Sequence, residues 1–159
     1  MSPSAASSPA TRIGQGPYWQ DLAVGDRIET FRRRVTETDL VNFISVTGML
    51  EAIFIDPGHG ETAMAGRPVP AALTNGLIEG FIMQGLIQGA GLALLDMHIR
   101  PLAPVNVGDA IRATVTITGV RATSKGGRGI VDSEVVVRNQ DDDVVQIYDV
   151  KRLVAGRPS

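Results

Sequence analysis

The stretch from Ala71 to Leu94, AALTNGLIEGFIMQGLIQGAGLAL, decides the fold. It is the most apolar run in the chain. Leu73, Leu77 and Phe81, with Ile78, Ile82 and Leu86, recur at three- and four-residue spacings, the period of a helix. Pro68 and Pro70 stand just before it, where proline ends an extended segment and leads into a first turn. Gly76, Gly80, Gly85, Gly89 and Gly91 are unusual in such a run, since each costs about 1 kcal/mol against alanine inside a helix. Gly76 with Gly80, and Gly85 with Gly89, are four apart and share a face. The spacing predicts one helix over the whole stretch, with another backbone close against its glycine face. That is a buried helix gripped by a curved sheet. A membrane span is the competing reading on length alone. Asn75, Glu79, Gln84 and Gln88 inside the run, and the lack of a basic flank, argue against it.

Downstream of this stretch the period changes to two. Met97 to Arg100 begins a strand that Pro101 and Pro104 interrupt, so it belongs at an edge or is irregular. Ile111, Ala113, Val115 and Ile117 alternate with Arg112, Thr114, Thr116 and Thr118, a half-buried strand. Ser124 to Gly129 reads as a hairpin turn, Ile130 to Arg138 as the next strand and Val144 to Val154 as the last. Together they predict an antiparallel meander.

Upstream, Tyr18, Trp19 and Leu22 form an apolar anchor before a turn at Val24-Gly25-Asp26. Arg27 to Val35 reads as one strand, with Ile28, Phe31 and Val35 inward. Arg32, Arg33 and Arg34 are a solvated face or, since arginine suits phosphate geometry, an anion contact. Thr36 and Asp39 make a capping box. The short helix behind it turns Leu40, Phe43, Ile44 and Thr47 to the core and stops near Gly48. Met49 to Asp56 follows, then a glycine-rich loop leading into the long helix.

Composition limits the function. The chain has 159 residues and a formal net charge of −2, which fits one domain and leaves no basic surface for nucleic acid. With no cysteine there is no disulfide, thiolate metal site or cysteine nucleophile. His59 and His98 lie far apart without ligand spacing, so no metal site is expected. The serine-, alanine- and proline-rich start predicts a flexible tail over 1–16, a domain over 17–155 and a short tail over 156–159. No signal-peptide core is visible, and a soluble cytoplasmic protein is the expectation. A single helix wrapped by an antiparallel sheet is an α+β architecture that leaves edge strands open. Pairing of two copies into a homodimer would cover them.

The order of these signals resembles the MaoC-like hydratase/dehydratase family, which has the hot-dog fold. The resemblance runs from about Tyr18 to Val154. It rests on VGDRIE, VTETDLVNFISVTG, GRPVPAAL, MHIRPLAPVNVGD and SKGGRGIVDSEVVVRNQ. It implies an acyl thioester, usually of coenzyme A, as substrate, and reversible hydration of a 2-enoyl thioester. Coenzyme A would enter only as part of the substrate, with no other cofactor. The family's acid/base pair lies in a segment like S-G-D-x-N-P-x-H-x-D-P after the short helix. Aligned without gaps, its flanks match Gly48, Asp56 and Pro57. Its Asp position holds Met49, its Asn position Glu51 and its His position Phe54. Methionine and phenylalanine carry no titratable proton, so the usual pair is absent.

Three readings follow. Glu51, with apolar flanks, is a candidate replacement base of the kind a tuned environment produces; a carboxylate at the surface is the plainer alternative. Glu79 inside the long helix is an alternative base for a thioesterase reaction, or a buried carboxylate satisfied by a partner. In the third reading the chain binds an acyl-CoA or acyl-carrier thioester without turnover and pairs with an active hot-dog subunit. Met49 and Phe54 would then line an acyl-binding surface. In all three, resemblance places the backbone N–H of Ala72, with Ala71 before it, against the thioester oxygen. Arg67, Arg100, Lys125 and Arg128 are the candidate cations for coenzyme A phosphates.

Overall fold

The computed structural model describes residues 12–56, 58–59 and 64–158. The expected tail over residues 1–11 and part of the glycine-rich loop lie outside them. A 3-10 turn at Trp19–Asp21 precedes β1 (Arg27–Glu29), β2 (Arg33–Arg34), α1 (Glu37–Thr47), α2 (Ala52–Ile55) and α3 (Ala71–Gly85). Then come β3 (Gly91–Pro101), β4 (Ala110–Ala122), β5 (Arg128–Arg138) and β6 (Val144–Ala155). The strands form one antiparallel sheet in the order β1-β4-β5-β6-β3, with β2 also on β4.

The meander has the expected physical basis. Ile111, Ala113, Val115 and Ile117 on β4, and Val131, Val135 and Val137 on β5, are buried at every second position. All but Ile117 and Val131 meet Leu73, Ile78, Ile82 and Leu86 of α3 and Leu40 and Ile44 of α1 in one core, and those two pack with Ala90 and Val154 in a second cluster. Each such aliphatic side chain contributes about 1.5–3 kcal/mol when fully buried. The helix is therefore held by the sheet's concave face.

Two features of the long apolar stretch differ from expectation. The helix ends at Gly85, and Gly91 to Leu94 belongs to edge strand β3. The glycines cause the break. The chain turns between residues 86 and 90, and Gly89 takes a φ of 72°, which side chains disfavour. The glycine face is also not the gripped face. A Cβ at Gly76, Gly80 or Gly85 would meet nothing within 4 Å. The buried side carries Leu73, Thr74, Ile78, Glu79 and Ile82 instead.

The expected strand over Arg27 to Val35 is two short pieces. Between them Thr30 breaks the ladder, its hydroxyl accepting from the Ala113 N–H at 2.9 Å. Phe31 is consequently exposed rather than inward. Arg33 pairs with Asp39 at 2.6 Å and Arg34 donates to the Gly108 carbonyl at 2.7 Å. The capping box forms, with the Thr36 hydroxyl accepting from the Asp39 N–H and the Asp39 carboxylate accepting from the Thr36 N–H. Gly48 ends α1 at a φ of 74°. Thr47 is exposed, its hydroxyl returned to the Phe43 carbonyl. Ahead of the 3-10 turn, Gly16 is buried and its N–H donates to the Gln88 carbonyl, so packing begins inside the expected tail. Trp19 lies against Gly129, where a Cβ would sit 2.5 Å from the indole.

Candidate active site at the start of helix α3

The segment before α3 is pinned as a short extended strip. Val69 donates to the Val105 carbonyl and Val107 to the Arg67 carbonyl, and Pro68 bridges Asn106. Gly66 is required there, since a Cβ would meet the Asn106 side chain at 2.9 Å. This strip fixes where α3 starts. Pro70 is its N-cap and offers no side-chain cap. The Leu73 and Thr74 N–H groups bond the Pro70 carbonyl. Those of Ala71 and Ala72 point out of the helix end with no intrahelical acceptor.

A cavity of about 370 Å³ opens at this end. Its walls are Ile53 and Phe54 of α2, the strip Pro68–Ala71, the turn Pro101–Val105, and Thr74, Val145 and Gln146. It is mostly apolar, and its side-chain polar groups among the described residues are Thr74 and Gln146. No titratable side chain among the described residues lines it. The cavity reaches Ala71, and Ala72 is its exposed neighbour on α3. Amides without a partner among the described residues, together with the helix dipole, favour an oxygen carrying negative charge here.

The sequence-derived residues divide into groups. Phe54 and Ala71 meet in this cavity, with Ala72 beside it. Met49 lies in the exposed turn after α1 and does not line it. Glu51 caps α2, accepting from the Ala52 N–H at 3.2 Å, and its side is turned to solvent. Arg67, just before the strip, is held by Glu37 through two hydrogen bonds of 2.8 and 3.3 Å. Its Nη1 is buried without a partner among the described residues. Arg100 pairs with Asp149 at 2.6 Å on β3. Lys125 and Arg128 stand at the other end of the sheet. Arg128 pairs with Ala155, whose N–H donates to the Ala90 carbonyl beyond the far end of α3, whereas Gln146 pairs with Pro101 near its start.

Glu79 is on the buried side of α3, away from this cavity. Its Oε1 accepts from the Tyr148 hydroxyl at 2.7 Å and from Arg152 at 2.6 Å, and its Oε2 accepts from Arg152 at 2.8 Å. It borders a second hollow, of about 330 Å³, together with Arg152, Met83 and Leu92. Burial and the neighbouring Glu79 charge push the Tyr148 phenol well above its ordinary range, so it remains a donor. Gln146 and Thr74 belong to no motif in the sequence. Gln146 follows Val145 on β6 where two consecutive residues are buried, so simple alternation hid it.

Among the described residues no helix is long and apolar enough to cross a membrane, and no group of three or more His, Asp or Glu is placed to hold a metal ion.

No family model matches the chain. An (R)-specific enoyl-CoA hydratase of Rhodospirillum rubrum is 18% identical over 130 residues, covering 76% of this chain and 90% of the relative. The crystal structure of a MaoC-like dehydratase from the same organism superposes with a TM-score of 0.80 at 23% identity, over 91% of this chain and all 100% of the other. A protein of Mycobacterium tuberculosis with a double hotdog fold gives a TM-score of 0.83 at 20% identity, over 94% of this chain and 47% of that one. Six antiparallel strands curved around α3, matched along nearly their whole length, give the chain the hot-dog fold.

Proposed function

We propose that the chain is a hydratase-like protein that binds the acyl part of a coenzyme A or carrier thioester in the cavity at the start of α3. The observation that carries this is an apolar cavity that reaches Ala71 at the start of α3, where the Ala71 and Ala72 amides have no partner among the described residues. Apolar walls take a hydrocarbon chain out of water. The amides sit where a thioester oxygen gains negative charge, and backbone donors aimed there need no reorganisation.

Hydration adds water across the carbon–carbon double bond, with oxygen at Cβ and a proton at Cα. One group must take the proton of the water and one must deliver a proton. The cavity's described walls supply neither, and Phe54 stands where the resembling family carries its histidine. The chain therefore binds and polarises the thioester, and the proton transfers belong to a second hot-dog subunit. Glu51, three residues before Phe54, is spent on capping α2. Glu79 has both oxygens engaged by Arg152 and Tyr148.

Calorimetric titration with butyryl-CoA and a hydration assay with crotonyl-CoA test this. Saturable binding of the first with no consumption of the second above the buffer rate is expected. Absence of binding would overturn the reading. Hydration by the chain alone would restore a catalytic role, with Glu51 the first residue to change.

A further inference from the structure

Gln146 is 1% exposed, and its amide nitrogen has no hydrogen-bond partner among the described residues. It lines the cavity at the start of α3, as does Thr74, which is 2% exposed. A buried donor left unmade is costly, and native structures satisfy nearly all of them. Around these two groups the wall is aliphatic, with Val69, Val105 and Val145. A partner for Gln146 must therefore come from whatever occupies the cavity.

Their placement says where that partner sits. Thr74 is three residues beyond Ala71, about 4.5 Å further along the helix axis. A thioester oxygen held at the Ala71 and Ala72 amides sends its acyl chain past Thr74 and Gln146. A hydroxyl both donates and accepts, and so does a carboxamide.

We propose that Gln146, with Thr74, recognises an oxygen atom on the acyl chain, a hydroxyl or carbonyl within a few carbons of the thioester. The site would then select oxygenated acyl thioesters over plain hydrocarbon ones. This rests on the acyl-thioester reading above and narrows its substrate class. A water bridging Gln146 and Thr74 is the competing occupant, and it would leave no preference among ligands.

The test compares hexanoyl-CoA with its 3-hydroxy and 5-hydroxy counterparts by calorimetry. At least one hydroxylated ligand is expected to bind the unmodified protein about tenfold more tightly, the gain of one well-made hydrogen bond. Gln146→Met, which keeps the side-chain length, should abolish that preference, so that the variant binds the hydroxylated ligands no more tightly than it binds hexanoyl-CoA. Thr74→Val should reduce the preference and serves if the first variant does not fold. Equal affinity of all three ligands for the unmodified protein would overturn the inference and leave the thioester reading intact. So would a preference that survives both substitutions. Binding of none of the three would remove the thioester reading and the inference together.

Discussion

Arg152 on β6 donates through one guanidinium nitrogen to both oxygens of Glu79 on α3, at 2.6 and 2.8 Å, in a pair almost closed to solvent. The pair ties the helix to the strand that also carries Tyr148 and Gln146. Two ions of this kind are costly to desolvate, so the pair itself is weak evidence of net stabilisation. Removing one partner leaves the other charge buried alone. Arg152→Met is therefore expected to destabilise the fold by about 3–5 kcal/mol. The double variant Glu79→Leu with Arg152→Met should cost clearly less than the sum of the two singles. Urea unfolding of the four proteins measures this, and additive costs would contradict it.

The capping box gives a prediction for acid. Burial raises the Asp39 pKa, but the Thr36 N–H and hydroxyl and the Arg33 guanidinium outweigh it, leaving the carboxyl below its ordinary value. Its stabilisation is fully present above the unfolded value, near 3.8. It is lost as pH falls through the lowered folded value. Asp39→Asn should cost about 1 kcal/mol at neutral pH, in the range of helix-cap losses, and the difference should shrink below the unfolded value. A difference that is flat from neutral pH to the acid end would count against this.

Placing a titratable group in the cavity tests it differently. Phe54 already lines it, and Met49 lies in the turn ahead of α2. Phe54→His, which puts a titratable group inside the cavity, should create crotonyl-CoA hydration at least about a hundredfold above the unmodified chain, the lower end of what a positioned acid or base supplies, and adding Met49→Asp, outside the cavity, should not raise it further. Glu51→Gln should change neither binding nor turnover, because that carboxylate faces solvent. A fall in either with Glu51→Gln would make it a working residue.

Strand β3 predicts the assembly. It is 11 residues long, pairs with β6 alone among the described residues, and exposes Leu92, Leu94, Leu95 and Ile99. A long apolar edge of unpaired N–H and C=O groups is a template for another strand. Antiparallel pairing with β3 of a second copy, about a two-fold axis at Met97, sets Leu95 against Ile99 and Asp96 across from His98. Such a contact is self-complementary, as a two-fold dimer needs. Light scattering should give twice the chain mass, and Leu95→Lys should give the monomer. A monomer at micromolar concentration before substitution would exclude the homodimer and favour an edge reserved for a different hot-dog chain.

Much of this molecule could be read from its residues, and the misses share a cause. The meander, the capping box and the Gly48 stop are local patterns whose physics is contained in a few neighbours, and they appear as the spacing required. The end of α3 differs from the spacing because glycines at helical spacing look alike whether they pack or break. Only Gly89's positive φ distinguishes them. Gly76 and Gly80 faced the wrong way in that reading because hydrophobic spacing on this helix runs nearly all round. Phe54 and Ala71 were placed together by the resemblance. Gln146 escaped because its importance depends on a missing hydrogen-bond partner, which is a property of tertiary structure.

A crystal structure of the protein with bound butyryl-CoA tests the central claim most directly. The thioester oxygen should lie about 2.7–3.1 Å from the Ala72 or Ala71 nitrogen, the range for an oxyanion donor, with the acyl chain running between Phe54 and Gln146. A ligand seated elsewhere, such as the larger hollow between β1 and α3, with those amides facing only solvent, would contradict it.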